Sequence, residues 1–481
     1  MLKHQNAACL SLVPTLAAGI AIASFAMMGA ARADDTVSKL GQVNVAPVES
    51  ACGAPFTETF FSFDISWIDS RLHTYFLADR SHGGASNGDA LMIDIDDPLA
   101  GPVFIKPPAD DPFAGIRCDA NAAFGGTPAA GRNELTGPNG VFTVSNGDGG
   151  DGRNDGKGHD DGKGRDNGKG QDHTEAWLGD GPADFTVGQH NLASDYTSDP
   201  CNSSVRVFDI KTRTQTDHIN VGGCFRTDEG AFDPKDKVAL FANPSEQAIP
   251  SPKAHHPLND TPFITLISTK PGHKILKQIN FDGKNGTFLA DSGIEQAVYS
   301  PDTGLFYIAV PGNSAAPNDG VVAVIDPRNN HIHVVTNFPL TGCSPNGAAL
   351  GPNFELLLGC GAGPEQVIDI RSGFLVSAIS GTAGGCDEVA FNAGDEHFAG
   401  ACTDTHPPID NLDISNANPP ALRQQINTGA AGAHSVASDP ETVSDWMPMY
   451  QGLCGTGQAC ISVFGTGSSD NDLKQKMASM H

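Results

Sequence analysis

The sequence predicts an all-β fold, a seven-bladed β-propeller of four-stranded antiparallel blades with an N-terminal strand closing the last blade. Three observations predict it: a unit of four apolar runs that recurs, a polar residue at one place in every copy, and two cysteine pairs of matched spacing.

The clearest copy starts at Ile294. It reads IEQAVYSP, a turn, LFYIAVPG, a Pro/Asn/Gly loop, VVAVIDP, a turn at Arg328-Asn329-Asn330, then HIHVVTNF. Short runs of Val, Ile, Phe and Tyr broken by turn residues predict a four-stranded meander, which is one propeller blade. First strands recur as FDISWID (63–69), PNGVFTV (138–144), DEGAFDP (228–234), IEQAVYSP (294–301), PNGAALGP (345–352), DEVAFNAG (387–394) and AHSVASDP (433–440). Second strands follow as HTYFLADR, EAWLGDG, KVALFANP, LFYIAVPG, ELLLGCG, HFAGACT and WMPMYQG. Third strands include ALMIDI, VRVFDI, FITLIS, VAVIDP, QVIDI, NLDIS and CISVFG, and the Asp near the end of several predicts a shared turn before the outer strand. Seven first strands give seven blades, with six and eight as the neighbouring counts. After Phe464 no fourth strand remains for the last blade. Either 43–48 or 56–61 supplies it, so that the ring closes without open edges.

The chain divides accordingly. Residues 1–33 carry Lys3 and His4, an apolar run from Cys9 to Met28, and Ala31-Arg32-Ala33, the pattern of a cleavable signal peptide. Residues 34–55 are an N-terminal segment, 56–465 the propeller and 466–481 a polar tail. Within the propeller, 146–173 is a Gly/Asp-rich insert with the units DGKGHD, DGKGRD and NGKGQD, a composition that cannot bury a core and predicts disorder. No other stretch has the roughly 18 apolar residues of a membrane span. The expected product is periplasmic or secreted, monomeric and not inserted in a membrane.

The formal charge is −27, and loss of Lys3 and Arg32 with the signal makes it two units more negative. That sign disfavours nucleic acid and anionic membranes as partners. Of 11 cysteines, Cys9 leaves with the signal, and an even number in an oxidising compartment favours disulfides. There is no Walker phosphate loop, HExxH helix or CxxCH haem site.

In a propeller the first strands line the axial channel. Their alignment places Asp64, Asn139, Glu229, Glu295, Asn346, Glu388 and His434 at one position, each followed by a small or apolar residue except Glu295, which Gln296 follows. Converging carboxylates repel, so such a ring holds a cation, shares protons or is well hydrated. A divalent ion with carboxylate and amide oxygen ligands answers the first case, Ca²⁺ before Mg²⁺ or Mn²⁺. A wet polar channel without an ion answers the last.

The blade pattern and this axial ring resemble the lactonase-like propellers, which include YVTN-repeat proteins, the SMP-30/gluconolactonase and paraoxonase families and virginiamycin B lyase. The resemblance covers 56–465. It implies a divalent ion held by one Glu, two Asn and one Asp, here Glu229 or Glu295, Asn139, Asn346 and Asp64, polarising a lactone or ester carbonyl. The chain departs from that pattern in its extra acids and in His434. On this reading it is an exported metal-dependent hydrolase, with His434 as general base beside Glu388. A buried neutral His434 bonded to Glu388 is the structural alternative. A non-catalytic ligand- or protein-binding scaffold and a metal-dependent lyase remain alternative functions, because the fold alone does not decide.

Loops after second strands bring Arg80, Ser81, His82, His255, His256 and His406 to the channel mouth, where they could orient a small-molecule substrate. The start of a first strand lies beside the end of the second, so Cys343–Cys360 and Cys386–Cys402 are expected cross-strand disulfides. Cys201–Cys224 and Cys454–Cys460 are further candidate pairs. The lack of any CxxC speaks against metal ligation by cysteine.

Overall fold

The strands pair into seven four-stranded antiparallel sheets and one short two-stranded ribbon, Val48–Glu49 with Thr59–Phe60. These relationships come from a computed structural model, which describes residues 36–46, 48–49, 59–82, 88–115, 136–145, 174–182, 202–223, 225–245, 261–328, 331–361, 363–382, 384–405, 408–430 and 434–479. The expected signal peptide, the 146–173 insert, Cys201, Cys224, His255, His256 and His406 lie outside the described residues.

Each blade is a sequence-order meander. The first strands are Phe63–Asp69, Val141–Ser145, Gly230–Asp233, Ala297–Ser300, Pro345–Leu350, Cys386–Asn392 and Ala437–Asp439, for blades 1 to 7. Successive first strands contact one another from blade 1 through blade 7 and back to blade 1. The ring is closed, and seven is the blade count. Blade 7 takes its outer strand from the chain start: Ser38–Val45 pairs antiparallel with Ala459–Gly465, from Ser38 opposite Gly465 to Val45 opposite Ala459. Of the two candidates for this strand, the earlier segment fills the place, shifted towards the N-terminus.

The apolar residues collect at the joins between blades. Among the described residues there are seven buried clusters, one for each adjacent pair, so every blade contributes to two. At the join of blades 7 and 1, Trp446 stacks on Tyr75 with centroids 5.6 Å apart, packed with Leu77, Leu91, Ile461 and Val463. Each such side chain withdrawn from water contributes about 1.5–3 kcal/mol.

The recurrent Asp of the third strands works as predicted. Asp94, Asp326 and Asp369 end their strands and accept the backbone N–H two residues on, at 2.9, 2.9 and 2.8 Å, which fixes the turn to the outer strand. The expected polar tail differs: Asn471–Ala478 is a helix, capped by Asp470, whose side chain accepts from the Leu473 N–H at 2.9 Å. Leu473 and Met477, at i and i+4, bury one face in the cluster between blades 7 and 1. Gly41 on the closing strand makes room, since a Cβ there would stand 2.8 Å from Met477 Cβ.

Candidate functional site

The first strands open with an irregularity that sets the axial site. In blades 1 to 6 two residues of the first strand face one of the second. The register shifts between Phe63 and Ser66, Pro345 and Gly347, and Cys386 and Glu388. In blades 2 to 4, Asn139 and Gly140 straddle Gly179, Asp228 and Glu229 straddle Ala242, and Glu295 and Gln296 straddle Ala309. Such bulges re-aim side chains that strict alternation would send apart. Here they bring Asp228 and Gln296 to the axial cluster beside the expected ring residues. Backbone bonds Ile65 N–H to Asn139 O (3.3 Å), Gln296 N–H to Asn346 O (3.1 Å) and Glu388 N–H to His434 O (3.1 Å) tie neighbouring blades there. The crowding explains the glycine that follows Asn139, Glu229 and Asn346: a Cβ on Gly140 would lie 2.2 Å from Asp228 O, one on Gly230 2.5 Å from Leu240 O and one on Gly347 2.8 Å from Asp387 O.

Asp64, Asn139, Glu229, Glu295 and Glu388 are buried, and Asn346 and His434 half-buried. They divide into two groups. In the first, Arg80 forms an ion pair with Asp64 and donates to Asn139 Oδ1 from Nε at 3.0 Å and Nη2 at 2.7 Å. Asn139 Nδ2 donates to the carbonyls of Thr136 (2.9 Å) and Thr227 (3.0 Å). Arg226 lies 3.8 Å from Asp64 Oδ2 and 2.8 Å from Asp228 Oδ2. Burial alone would raise the Asp64 pKa, but Arg80, His434 and Arg226 outweigh it and hold the carboxyl well below the usual range. His434 Nε2 lies 3.3 Å from Asp64 Oδ1, and its ring stacks on Phe63 at 5.2 Å. Asp64 is thus a side-chain partner of His434, and the Glu388 N–H bonds the His434 carbonyl.

The second group is acidic. Burial, then the charge of Glu388, pushes Glu229 well above the ordinary carboxyl range, and Asp228 and Glu295 add to the push. Burial likewise raises Glu388, with Glu229 as its hydrogen-bond partner. Both carboxyls are thus pushed towards the protonated form, and a proton held between them would let two close acids tolerate burial. Glu229 Oε2 and Glu388 Oε1 are buried and have no hydrogen-bond partner among the described residues. Asn346 Nδ2 donates to Asp387 Oδ1 at 3.3 Å, and Gln296 Oε1 accepts from Ala348 N–H at 2.6 Å, linking blades 4 and 5.

The residues expected at the channel mouth behave differently. Arg80 is buried in the ring rather than spread over a rim. Ser81 and His82 fold onto Asp79: the Ser81 hydroxyl donates at 2.7 Å, and His82 Nδ1 lies 2.5 Å from Asp79 Oδ2. His82 Nε2 lies 2.7 Å from Ala46 O, so this histidine fastens the N-terminal segment. Arg226 and Asp228 were not anticipated. Arg226 lies upstream of the aligned first-strand strings, and Asp228 becomes axial only through the bulge.

Three disulfides are present among the described residues: Cys343–Cys360, Cys386–Cys402 and Cys454–Cys460, as expected, and they accord with an oxidising, extracellular setting. No helix among the described residues is long and apolar enough to cross a membrane. Among those residues the one set of three or more His, Cys, Asp or Glu whose ligand atoms lie within 4.8 Å of one another is Glu365, Cys386, Cys402 and Asp413, not the axial ring. This buried group could hold a metal ion. Its cysteines are joined in the expected Cys386–Cys402 disulfide, so sulfur ligation needs that bond reduced, and sulfur is an unusual ligand for Ca²⁺. No spacing motif announced it, because its members come from four separate strands or strand ends.

No protein-family model matches the chain, and no curated protein sequence matches it. Among solved structures, a chain of the crystal structure of the mitotic checkpoint complex aligns with 96% of this chain and 98% of its own length, at 10% identity and a TM-score of 0.49.

Proposed function

We propose that the chain is an exported propeller hydrolase that opens a lactone or ester at the axis by acid–base catalysis. The observation that carries this reading is the Asp64–His434 pair, set beside two buried carboxyls whose surroundings favour the protonated form. His434 takes a proton from water as that water adds to the carbonyl carbon. The Glu229–Glu388 pair gives its proton to the leaving oxygen as the C–O bond breaks. Asp64, kept ionised by Arg80 and Arg226, orients the imidazole and stabilises it once charged. The partially exposed face of His434 provides access for a small substrate. Export rests on the signal-like segment at 1–33 and on the disulfides.

The divalent ion that the resemblance implies fits this ring poorly. Asp64 and Asn139, two of its four expected ligands, are engaged by Arg80 and Arg226, whose charges already neutralise that side. That leaves Glu229, Glu388 and Asn346 to supply oxygen donors on the other side, and no catalytic step above depends on an ion. The test is a lactone and aryl-ester panel assayed with and without chelator. Turnover that survives chelator and disappears in His434→Ala is expected. Absence of turnover across the panel overturns the reading, and elimination products detected by mass would assign a lyase instead.

A binding scaffold is the second reading. It is favoured by Phe374, Leu375 and Val376, which lie exposed at the outer strand of blade 5, a surface suited to protein contact. Inactivity on the panel together with an intact fold would favour it.

A further inference from the structure

Blades 5 and 6 carry disulfides at matching places, and their surroundings differ. Cys343–Cys360 is enclosed by apolar side chains, among them Tyr307, Ala309, Leu356 and Leu358. Cys386 and Cys402, directly opposite each other on the first two strands of blade 6, face two buried carboxylates. Asp413 comes from the third strand of that blade, opposite Gly400, and Glu365 comes from the neighbouring blade, just before its third strand. Glu365 Oε1 lies 3.4 Å from Cys386 Sγ and 4.0 Å from Cys402 Sγ. Disulfide sulfurs have no hydrogen to donate, so this contact gives the carboxyl no bond; its other oxygen accepts from the Ser415 hydroxyl at 3.4 Å. The centre of the group is kept open by Gly400, where a Cβ would stand 2.6 Å from Glu365 Oε1 and 3.2 Å from Cys402 Sγ. A purely structural staple needs none of this, as Cys343–Cys360 demonstrates.

We propose that reduction of Cys386–Cys402 unmasks a tetrahedral site for a borderline-soft divalent ion, Zn²⁺ foremost, with the two thiolates and the carboxylates of Glu365 and Asp413 as ligands. The reductant is a dithiol, which gives two electrons and two protons to the disulfide and closes to its own disulfide. Both thiols then release their protons to solvent as the ion binds. Two thiolates and two carboxylates leave the same net charge as an all-cysteine zinc site. Bonds of about 2.0–2.3 Å set tetrahedral edges of roughly 3.3–3.8 Å, so ligand atoms already within 4.8 Å need only small side-chain movements. The sulfurs part as their bond breaks. In the oxidised state the link joins two strands of blade 6. In the reduced, metal-bound state it also ties Glu365 of blade 5, so the redox state decides whether this blade join is cross-linked.

The full-length protein, reduced with dithiothreitol, freed of reductant without air and titrated with Co²⁺, tests this. Expected is a near-ultraviolet thiolate-to-cobalt band with the visible bands of tetrahedral Co²⁺, displaced by Zn²⁺ and missing from the oxidised protein. Because other thiols are also freed, the background is the Cys386→Ser/Cys402→Ser double variant, which should lose the band. Cys343→Ser/Cys360→Ser should keep it. Glu365→Gln and Asp413→Asn should each weaken Co²⁺ binding by at least about tenfold. Reduced wild type binding no more Co²⁺ than the Cys386/Cys402 variant, or unweakened binding in both carboxylate variants, overturns the proposal. If reduction itself erases the far-ultraviolet strand signal, Zn²⁺ should restore it in wild type but not in the Cys386/Cys402 variant; no restoration also overturns it.

Discussion

Asp64 Oδ1 lies 3.3 Å from His434 Nε2, while the other oxygen of the same carboxyl meets Arg80 and Arg226. One carboxylate therefore joins the candidate base to two fixed cations. Asp64→Asn should preserve the fold by circular dichroism yet lower kcat by about 10²–10⁴, the range that a positioned proton-transfer group supplies. His434→Ala should lose at least as much. Equal kcat in wild type and both variants would remove the pair from the chemistry.

Arg80 has the larger structural effect. Its removal takes the nearer guanidinium from Asp64 and two donors from the buried Asn139 Oδ1, which keeps the 3.4 Å bond from the Thr136 hydroxyl. Breaking a buried pair in this way costs about 3–5 kcal/mol. Arg80→Met should show that loss in denaturant unfolding. Arg80→Lys should recover little of it, because an ammonium cannot span the carboxylate and the amide as the planar fork does.

His397 gives a pH signature far from the axis. Its ring is buried between Asp445, 2.8 Å from Nε2, and Asp395. Burial by itself would lower its pKa, but Asp445 and Asp395 outweigh it and push the imidazole up to about 10. A raised folded-state value means that the stabilisation is fully present below the unfolded value of about 6.5 and is lost as pH rises through about 10. The stability gap between wild type and His397→Gln should be on the order of a few kcal/mol at pH 6 and shrink steadily towards pH 10. A gap that widens with pH would contradict the assignment.

The C-terminal helix should count in stability, although its sequence is mostly polar. Met477→Ala empties a fully buried place against the closing strand and should cost about 2–5 kcal/mol. Gly41→Ala, on the facing side, should also destabilise, because its new methyl meets Met477 at 2.8 Å. Thermal melting that leaves both variants at the wild-type midpoint would show the helix to be dispensable.

The ring was legible because it repeats. A period carried by turn residues and by Val, Ile and Phe at strand positions survives degenerate spelling, and aligning it exposed Asp64 through His434. What escaped were features without a period. A one-residue bulge leaves no trace in apolar alternation, so Asp228 stayed hidden beside Glu229. Arg226 precedes the strand and is visible only once the chain turns towards the axis. The Glu365 group unites residues from two blades, and no linear spacing encodes such a meeting. Helix Asn471–Ala478 did leave a signal, Leu473 and Met477 four apart, but in a window too short to stand out.

The pairing of Ser38–Val45 with Ala459–Gly465 has a consequence for biogenesis. Ser38–Val45 is synthesised long before its partner and has to wait, unpartnered, until Ala459–Gly465 is made. All other blades can form from their own contiguous strands, yet the ring cannot lock until its last segment arrives. A chain cut short upstream of Ala459 would leave the edge of Ser38–Val45 bare, the kind of open strand edge that invites pairing with another chain, and the arrival of Ala459–Gly465 covers it.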